Sequence, residues 1–592
     1  PPRPLYVVAE KILSANERMP EAWAIDGTTG YEFLAAASGL FVDESAEESL
    51  TEGYARFTGL RQDFRDIAYQ NKLIITSSSM ASEINMLANR LNRISETNRR
   101  TRDFTLNELR RALVEFVSNF PIYRTYVTPA GEVDERDRRY VEATLLRARR
   151  RSPVTDPSIY DFLRDVLLLR YPDGLAEAEQ RQWLEFTLKL QQVTGPVTAK
   201  ALEDTAFYVY DRLVSLNEVG GEPREFGTSV KAFHALNAAR RQRWPGSLAA
   251  TSTHDTKRSE DVRVRIAALS EAPREWRALL ARWARQNRDL KTEVDGESAP
   301  DRNDEILLYQ TLVGSFPEPG PRPGSGGHAA YVDRITAYMQ KAIREAKVHT
   351  SWTNVDAGYE QAVTRFAEGV LAAPDFLESF VPFARRIAAA GRIASLSQVA
   401  LKLASPGPTD IYQGCELWDL SLVDPDNRRP VDYDLRAKLL GELGQRADGG
   451  PAVRAALARE VSQTDALRDG RAKLLLLRQG LRLRRERPAL FLEGDYLPLA
   501  VEGPHAHRVI AFARRLGGAA LVCVTPRLTV GLFDESGAPT TRWEGRIALP
   551  AGFPGPLWDL VTGARREGGD LALADLFSGF AVALLATRGQ DR

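Results

Sequence analysis

The sequence predicts an α/β chain of the barrel type, interrupted by long helical stretches and followed by an antiparallel β domain. Three observations predict it. Short apolar runs end abruptly on polar residues at three distant places: residues 5–9 before Glu10, residues 247–251 before His254 and Asp255, and residues 408–414 before Glu416. Strands that end on charged side chains are what a barrel presents at the carboxyl face of its sheet. Between these runs the apolar residues recur at helical spacing, and from about residue 489 the period shifts toward two.

The chain has 592 residues, enough for two to four full-sized cores. Acidic and basic residues balance at 79 each, so bulk charge does not favour nucleic acid or an anionic membrane as partner. Cys415 and Cys523 are too few for a disulfide framework and fit a reducing compartment. No apolar run approaches the length of a bilayer span, and residues 1–5 carry no signal-peptide core. The expected protein is soluble and cytoplasmic.

In order, residues 1–35 hold the first strand and then Gly27, Thr28, Thr29, Gly30 and Tyr31. This reads as a tight loop offering hydroxyls to a sugar, or as an ordinary turn. Residues 36–200 read as a helical insertion. Met80, Ile84, Leu87, Leu91 and Ile94 keep four-three spacing, and Thr105 with Glu108 forms a capping box ahead of Leu109 and Leu113. A stretch with Trp183, Phe186 and Leu190 is expected to end at Gly195 and Pro196.

Residues 201–258 are expected to carry two further barrel strands. Glu203 and Asp204 precede an apolar-aromatic segment there, either as substrate-facing acids or as a helix N-terminus. Residues 259–390 read as a second helical insertion, with Trp276, Leu279, Leu280 and Trp283 on one face and a Pro/Gly-rich loop at residues 317–327. Residues 391–488 return to the last barrel strand and its helices. Residues 489–592 form the β domain, with strands expected at 509–513, 520–524, 546–549 and 580–584.

The chemistry centres on Thr253, His254, Asp255, Lys257, Arg258, Glu260 and Asp261. Taken singly, Asp255 or Thr253 reads equally well as a helix cap. The whole string, with acid, imidazole and paired cations at one strand end, favours a site. No Cys-x-x-Cys or His-x-x-x-His spacing occurs and no Gly-rich phosphate loop follows a strand, so neither metal nor cofactor is expected.

At these residues the sequence resembles the maltooligosyltrehalose synthases, a branch of the α-amylase superfamily. The matching strings are Glu10 to Leu13, Asp26 to Tyr31, Thr253 to Asp261, Asp410 to Gly414, and Glu416 to Pro430. The resemblance implies a (β/α)8 barrel, partial in this chain from strand five on, with large helical insertions and a C-terminal antiparallel β domain. It implies a cofactor-free isomerase of trehalose biosynthesis. That enzyme rearranges the reducing-end α-1,4 linkage of a maltooligosaccharide to α,α-1,1, with retention.

On that match Glu10 is the general acid/base, expected in a partly apolar pocket, and Asp255 stabilises the oxocarbenium-like state. His254 hydrogen-bonds the reacting sugar, and Lys257 and Arg258 hold the reducing-end glucose while it turns over. Tyr31, Tyr412, Gln413 and Glu416 complete the expected substrate contacts. No Arg-x-Asp-His string, which carries the family's nucleophile, precedes Glu10. The N-terminal half of the same enzyme, as upstream residues or a separate chain, is therefore the expected partner. The alternatives are an α-glucan hydrolase, an intermolecular glucanotransferase, or a non-catalytic glucan-binding fragment.

Overall fold

A computed structural model describes residues 5–14, 17–463, 466–533 and 542–588. The residues at 1–4, whose sequence lacks a signal-peptide core, lie outside them. Four extended segments run side by side at its centre. Val8–Ala9 pairs in parallel with Gly27–Thr28. Leu248 N–H donates to the Thr28 carbonyl at 2.9 Å. Ala249 then pairs in parallel with Thr409, its N–H donating to Pro408 at 2.8 Å and its carbonyl accepting from Asp410 at 3.1 Å. Neighbours distant in sequence thus bring Glu10, the Thr253–Asp255 turn and the Asp410–Gly414 loop toward one end of the array.

This order differs from the expected one. Residues 27–28 are themselves a strand, and helix Tyr31–Gly39 starts immediately after. Thr28 and Tyr31 are buried, not displayed at a loop tip. The glycines are the reason. A Cβ on Gly27 would lie 2.3 Å from the Ser247 hydroxyl oxygen, and one on Gly30 would lie 2.3 Å from the Leu248 carbonyl. Gly30 also sits at φ 96°, in the left-handed region. Both glycines therefore mark close strand approach, whereas a sequence reading sees only turn formers. Within residues 201–258 the described bridges are Ala249 with Thr409 and, antiparallel, Arg258 with Leu422, and residues 206–216 wind through two short 3₁₀ turns.

Two helical regions flank the array. The first has its own core, which runs from Ile75 to Ala201 and includes Ile84, Leu87, Leu91, Leu113, Phe116, Trp183 and Phe186. Helices Ala81–Glu96 and Leu106–Asn119 follow the predicted periodicity, and the Thr105–Glu108 capping box is formed. The last helix of this region, Glu177–Leu202, continues through Gly195 and Pro196 and does not stop there. The carbonyl that Pro196 cannot serve belongs to Gln192, an exposed residue.

The second region packs Trp276 and Trp283 of helix Pro273–Gln286 against Phe376, Phe380 and Phe383. Helix Pro374–Ala404 is 31 residues long and runs to within four residues of Pro408, so residues 393–404 are helix where a return to strand was expected. The Pro/Gly-rich stretch is shorter and better tied than its composition suggests. Helix Gly326–Ala346 begins inside it, capped by Ser325, and buried Glu318 pairs with Arg392.

The C-terminal region is antiparallel. Its six-stranded sheet centres on the hairpin Val509–Leu516 and Ala519–Pro526, closed by Gly517 and Gly518 with Leu516 opposite Ala519. Ala583–Thr587 pairs with the second strand, and a three-stranded sheet built on Arg546–Ala548 covers Leu571 and Leu573.

Candidate functional site

Glu10 closes the first extended segment, and Thr253, His254 and Asp255 turn off the end of the third. Oxygen atoms of Glu10 and Asp255 and a ring nitrogen of His254 all lie within 4.8 Å of one another. His254 Nε2 is 3.4 Å from Asp255 Oδ1, and the two side chains are 56% and 52% exposed. Tyr31 stands behind them. Its hydroxyl lies 3.5 Å from Glu10 Oε1 and 3.2 Å from Thr253 Oγ1. Burial pushes this phenol well up, so it stays protonated and can donate to the Glu10 carboxylate. Glu10 itself is exposed, which corrects the expected apolar pocket.

The turn that carries Asp255 is clamped from beneath. Buried Glu218 accepts the backbone N–H of Lys257 at 2.7 Å on one oxygen and that of Arg258 at 3.2 Å on the other. Arg263 reaches Glu218 at 3.1 Å and the Arg258 carbonyl at 2.8 Å. One turn further, Glu260 meets Lys473 at 2.7 Å and Lys402 at 3.3 Å, while Asp261 meets Lys473 at 2.9 Å and accepts Asp419 N–H at 2.7 Å. Burial alone would raise Glu260, but the two ammonium groups outweigh it and hold the carboxyl below its usual range. Such a network is costly to break, because removing one partner strands a buried charge.

Several expected sugar contacts turn inward. Arg258 is 1% exposed and donates to the Val214 carbonyl at 3.1 Å and to Tyr338 at 2.9 Å, so it holds the scaffold together. Lys257 is buried and its ammonium lies 3.2 Å from Asp204. The paired cations looked available because a sequence does not say which way a turn folds back. Tyr412 donates to the Asn427 carbonyl at 3.2 Å, and Glu416 is engaged by Arg436 at 2.9 Å and by Gly414 N–H at 3.1 Å. Gln413 is exposed beside them. Asn427 also donates to the His254 carbonyl at 3.0 Å, which ties this loop to the central turn.

Glu203 and Asp204 sit at the C-terminal end of helix Glu177–Leu202, where the sequence left open a substrate-facing role or a helix N-terminus. Glu203 accepts a hydrogen bond from the Tyr123 hydroxyl of the helical region. Burial pushes the Glu203 carboxyl up to about 7, with the Tyr123 hydrogen bond and then Lys257 opposing and Asp204 and Asp255 adding to the rise. The sequence offered no signal for Tyr123 or Glu218, because each acts through a contact made across the fold.

A metal has two places to be considered among the described residues. The Glu10, His254 and Asp255 group is exposed and offers one atom from each residue. The second group is Asp301, Asp304 and His349. It is satisfied internally: His349 bonds Asp301 at 3.0 Å, Tyr359 donates to Asp304 at 2.5 Å, and Asp301 caps the helix through Asp304 N–H at 2.7 Å.

No protein-family model matches the chain. A putative maltooligosyl trehalose synthase of Mycobacterium tuberculosis is 33% identical over 581 residues, covering 98% of this chain and 65% of the relative. The structure of maltooligosyltrehalose synthase from Arthrobacter ramosus superposes with a TM-score of 0.79 at 32% identity, covering 98% of this chain and 66% of that one. A hypothetical maltooligosyl trehalose synthase of Sulfolobus tokodaii gives 0.71 at 29% identity, covering 98% and 65%. The chain therefore spans about two thirds of the length of the relatives it matches. Identity of this order along nearly its whole length, on a shared fold, places the chain in the maltooligosyltrehalose synthase family over the part of those proteins that it spans.

Proposed function

We propose that this chain carries part of the active site of an intramolecular transglucosylase. The enzyme converts the reducing-end α-1,4 linkage of a maltooligosaccharide to α,α-1,1, and the four side-by-side segments belong to its (β/α)8 barrel. The observation that carries this reading is the convergence of Glu10, His254 and Asp255 within 4.8 Å at the ends of the first and third of the side-by-side segments. Retention calls for two carboxyl groups about 5–5.5 Å apart, one as nucleophile and one as acid/base. In this reading Glu10 protonates the glycosidic oxygen and later takes the proton from the attacking hydroxyl. Asp255, oriented with His254, stabilises positive charge on the sugar ring. Tyr31 donates to Glu10 and fixes its orientation.

Neither remaining acid near Asp255 suits the nucleophile. Asp204 is paired with Lys257, and Glu203 is held by Tyr123 at the end of a helix. We assign the nucleophile to polypeptide outside this chain, and the greater length of the relatives supports that assignment.

One second reading is a hydrolase, because a glycosyl intermediate reached by water is hydrolysed. Incubation of the chain with maltopentaose, alone and with the polypeptide supplied that the longer relatives have in addition, decides between them. Loss of reducing ends without short sugars supports the isomerase. Glucose or maltose as main product supports the hydrolase, and bound glucan without turnover in either case overturns both.

A further inference from the structure

We propose that Glu203 is a further substrate-contacting residue, a carboxylate held by Tyr123 of the helical region that accepts a hydroxyl of the glucose lying between Asp255 and Lys257. The inference rests on the transglucosylase reading and names a specificity-determining contact within that site.

Lys257 was the group expected to grip the reducing-end glucose. The structure gives its ammonium a different partner, Asp204, and leaves it only 7% exposed. A buried, neutralised cation is a poor donor to sugar hydroxyls, so another group on this wall must read the ring. Glu203 is placed for it. It stands next to Asp204, part-exposed, and the charges of both Lys257 and Asp255 act on it. One of its oxygens accepts from Tyr123. Its other oxygen takes part in no hydrogen bond among the described residues and is not closed off from solvent. A carboxylate fixed at one oxygen and open at the other is a preorganised acceptor, and bonds to a charged acceptor are the stronger kind.

The fixing group comes from the other core. Tyr123 follows helix Leu106–Asn119, is deeply buried, and its phenol is pushed well up by burial and then by Glu203, so it remains a donor. The Lys11 ammonium, one residue after Glu10, lies 6.0 Å over the Tyr123 ring and pairs with Glu17 at 2.6 Å. Tyr123 therefore faces the Lys11 ammonium on one side and bonds Glu203 on the other. With Glu203 on the sugar, the helical region would contribute to the site through Tyr123.

The charged and titratable groups around Glu203 are Tyr123 from the helical region, Asp204 on its own segment, and Asp255 and Lys257 on the central turn. Lys347, at the end of helix Gly326–Ala346, reaches the Asp204 carbonyl and Thr205. With its carboxyl pushed up to about 7, chiefly by burial, Glu203 exchanges acceptor for acid across neutrality. Sugar affinity should accordingly rise from pH 6 to pH 8.

The test is calorimetric titration of maltopentaose into the full chain, and into its Glu203→Gln and Tyr123→Phe variants, at pH 6, 7 and 8. The proposal expects about tenfold weaker binding at pH 8 for Glu203→Gln, a smaller loss for Tyr123→Phe, and no change with pH for Glu203→Gln. Unchanged melting temperatures would show that the variants fold. Should Glu203→Gln fail to fold, Tyr123→Phe alone decides, since it keeps the carboxylate and removes only its anchor. Wild-type affinity in the folded variants overturns the proposal and leaves the transglucosylase reading standing. Absence of glucan binding by the wild-type chain overturns the proposal as well, whereas only the products made in the presence of the additional polypeptide bear on the reaction itself.

Discussion

The Tyr31 hydroxyl stands between Glu10 and Thr253, 3.5 Å from the carboxylate of one and 3.2 Å from the hydroxyl of the other. One buried phenol thus bridges two strand ends that carry the proposed reacting groups. A first prediction follows for these groups in the transglucosylation assay. Glu10→Gln and Asp255→Asn each lower kcat/KM by about 10²–10⁴-fold, the usual yield of a positioned acid or charge. Tyr31→Phe lowers it by roughly tenfold, the worth of one hydrogen bond near 1.4 kcal/mol. An Asp255→Asn enzyme with wild-type turnover sinks the assignment.

Arg258 separates a scaffold role from a ligand role. Arg258→Ala removes the guanidinium donor from the Tyr338 hydroxyl and one of two donors from the Val214 carbonyl, which keeps Asn217 N–H at 3.2 Å. The loss costs roughly 1–3 kcal/mol, so the urea midpoint should fall by a corresponding amount. A variant of wild-type stability with a raised KM would reverse this reading and return Arg258 to the sugar.

Gly30 is the point where two strands and a helix meet. Gly30→Ala must place a Cβ 2.3 Å from the Leu248 carbonyl while holding φ at 96°. Strain in the left-handed region alone is on the order of 1–3 kcal/mol, and the clash adds to it. Thermal unfolding should drop by several degrees. Gly59→Ala is the matched control, since Gly59 also has positive φ but open space around it.

Lys72 provides a pH test confined to the helical region. It lies wholly inside, donating to the Phe120 carbonyl at 2.7 Å, and burial pushes its ammonium down to about 7. Between that value and the ordinary one near 10.5 the unfolded chain holds a proton that the folded chain has lost. Stability therefore rises with pH across this window and stops depending on Lys72 below about 7. Hydrogen exchange on helices Phe64–Ser77 and Leu106–Asn119, corrected for intrinsic rates, should show growing protection from pH 7 to 9.5. Lys72→Met should abolish the slope, and a slope that survives the substitution counts against the buried ammonium as its source.

Local pattern was sufficient for much of the fold. The Thr105–Glu108 capping box, the periodic helices around Ile84 and Leu113, the Trp276–Trp283 face and the central β hairpin all follow from interactions within a few residues or across one turn. Local rules misled where a distant partner overrode them. Gly27 and Gly30 read as turn formers and are contact points for Ser247 and Leu248. Pro196 read as a helix stop, and the helix runs through it beside the exposed Gln192.

What the sequence determined by itself is therefore the inventory: the helices and hairpins that short-range periodicity encodes, and the acids, imidazole and cations that sit at strand ends. The tertiary structure alone decided which of those side chains face outward together. Asp255 and His254 reach Glu10, while Lys257 and Arg258, only two and three positions on, turn under Glu218 and disappear. The physical reason is that side-chain direction in a tight turn depends on the backbone partners waiting beneath it. Those partners, Glu218, Asp204 and Tyr338, come from segments that no short window of sequence contains.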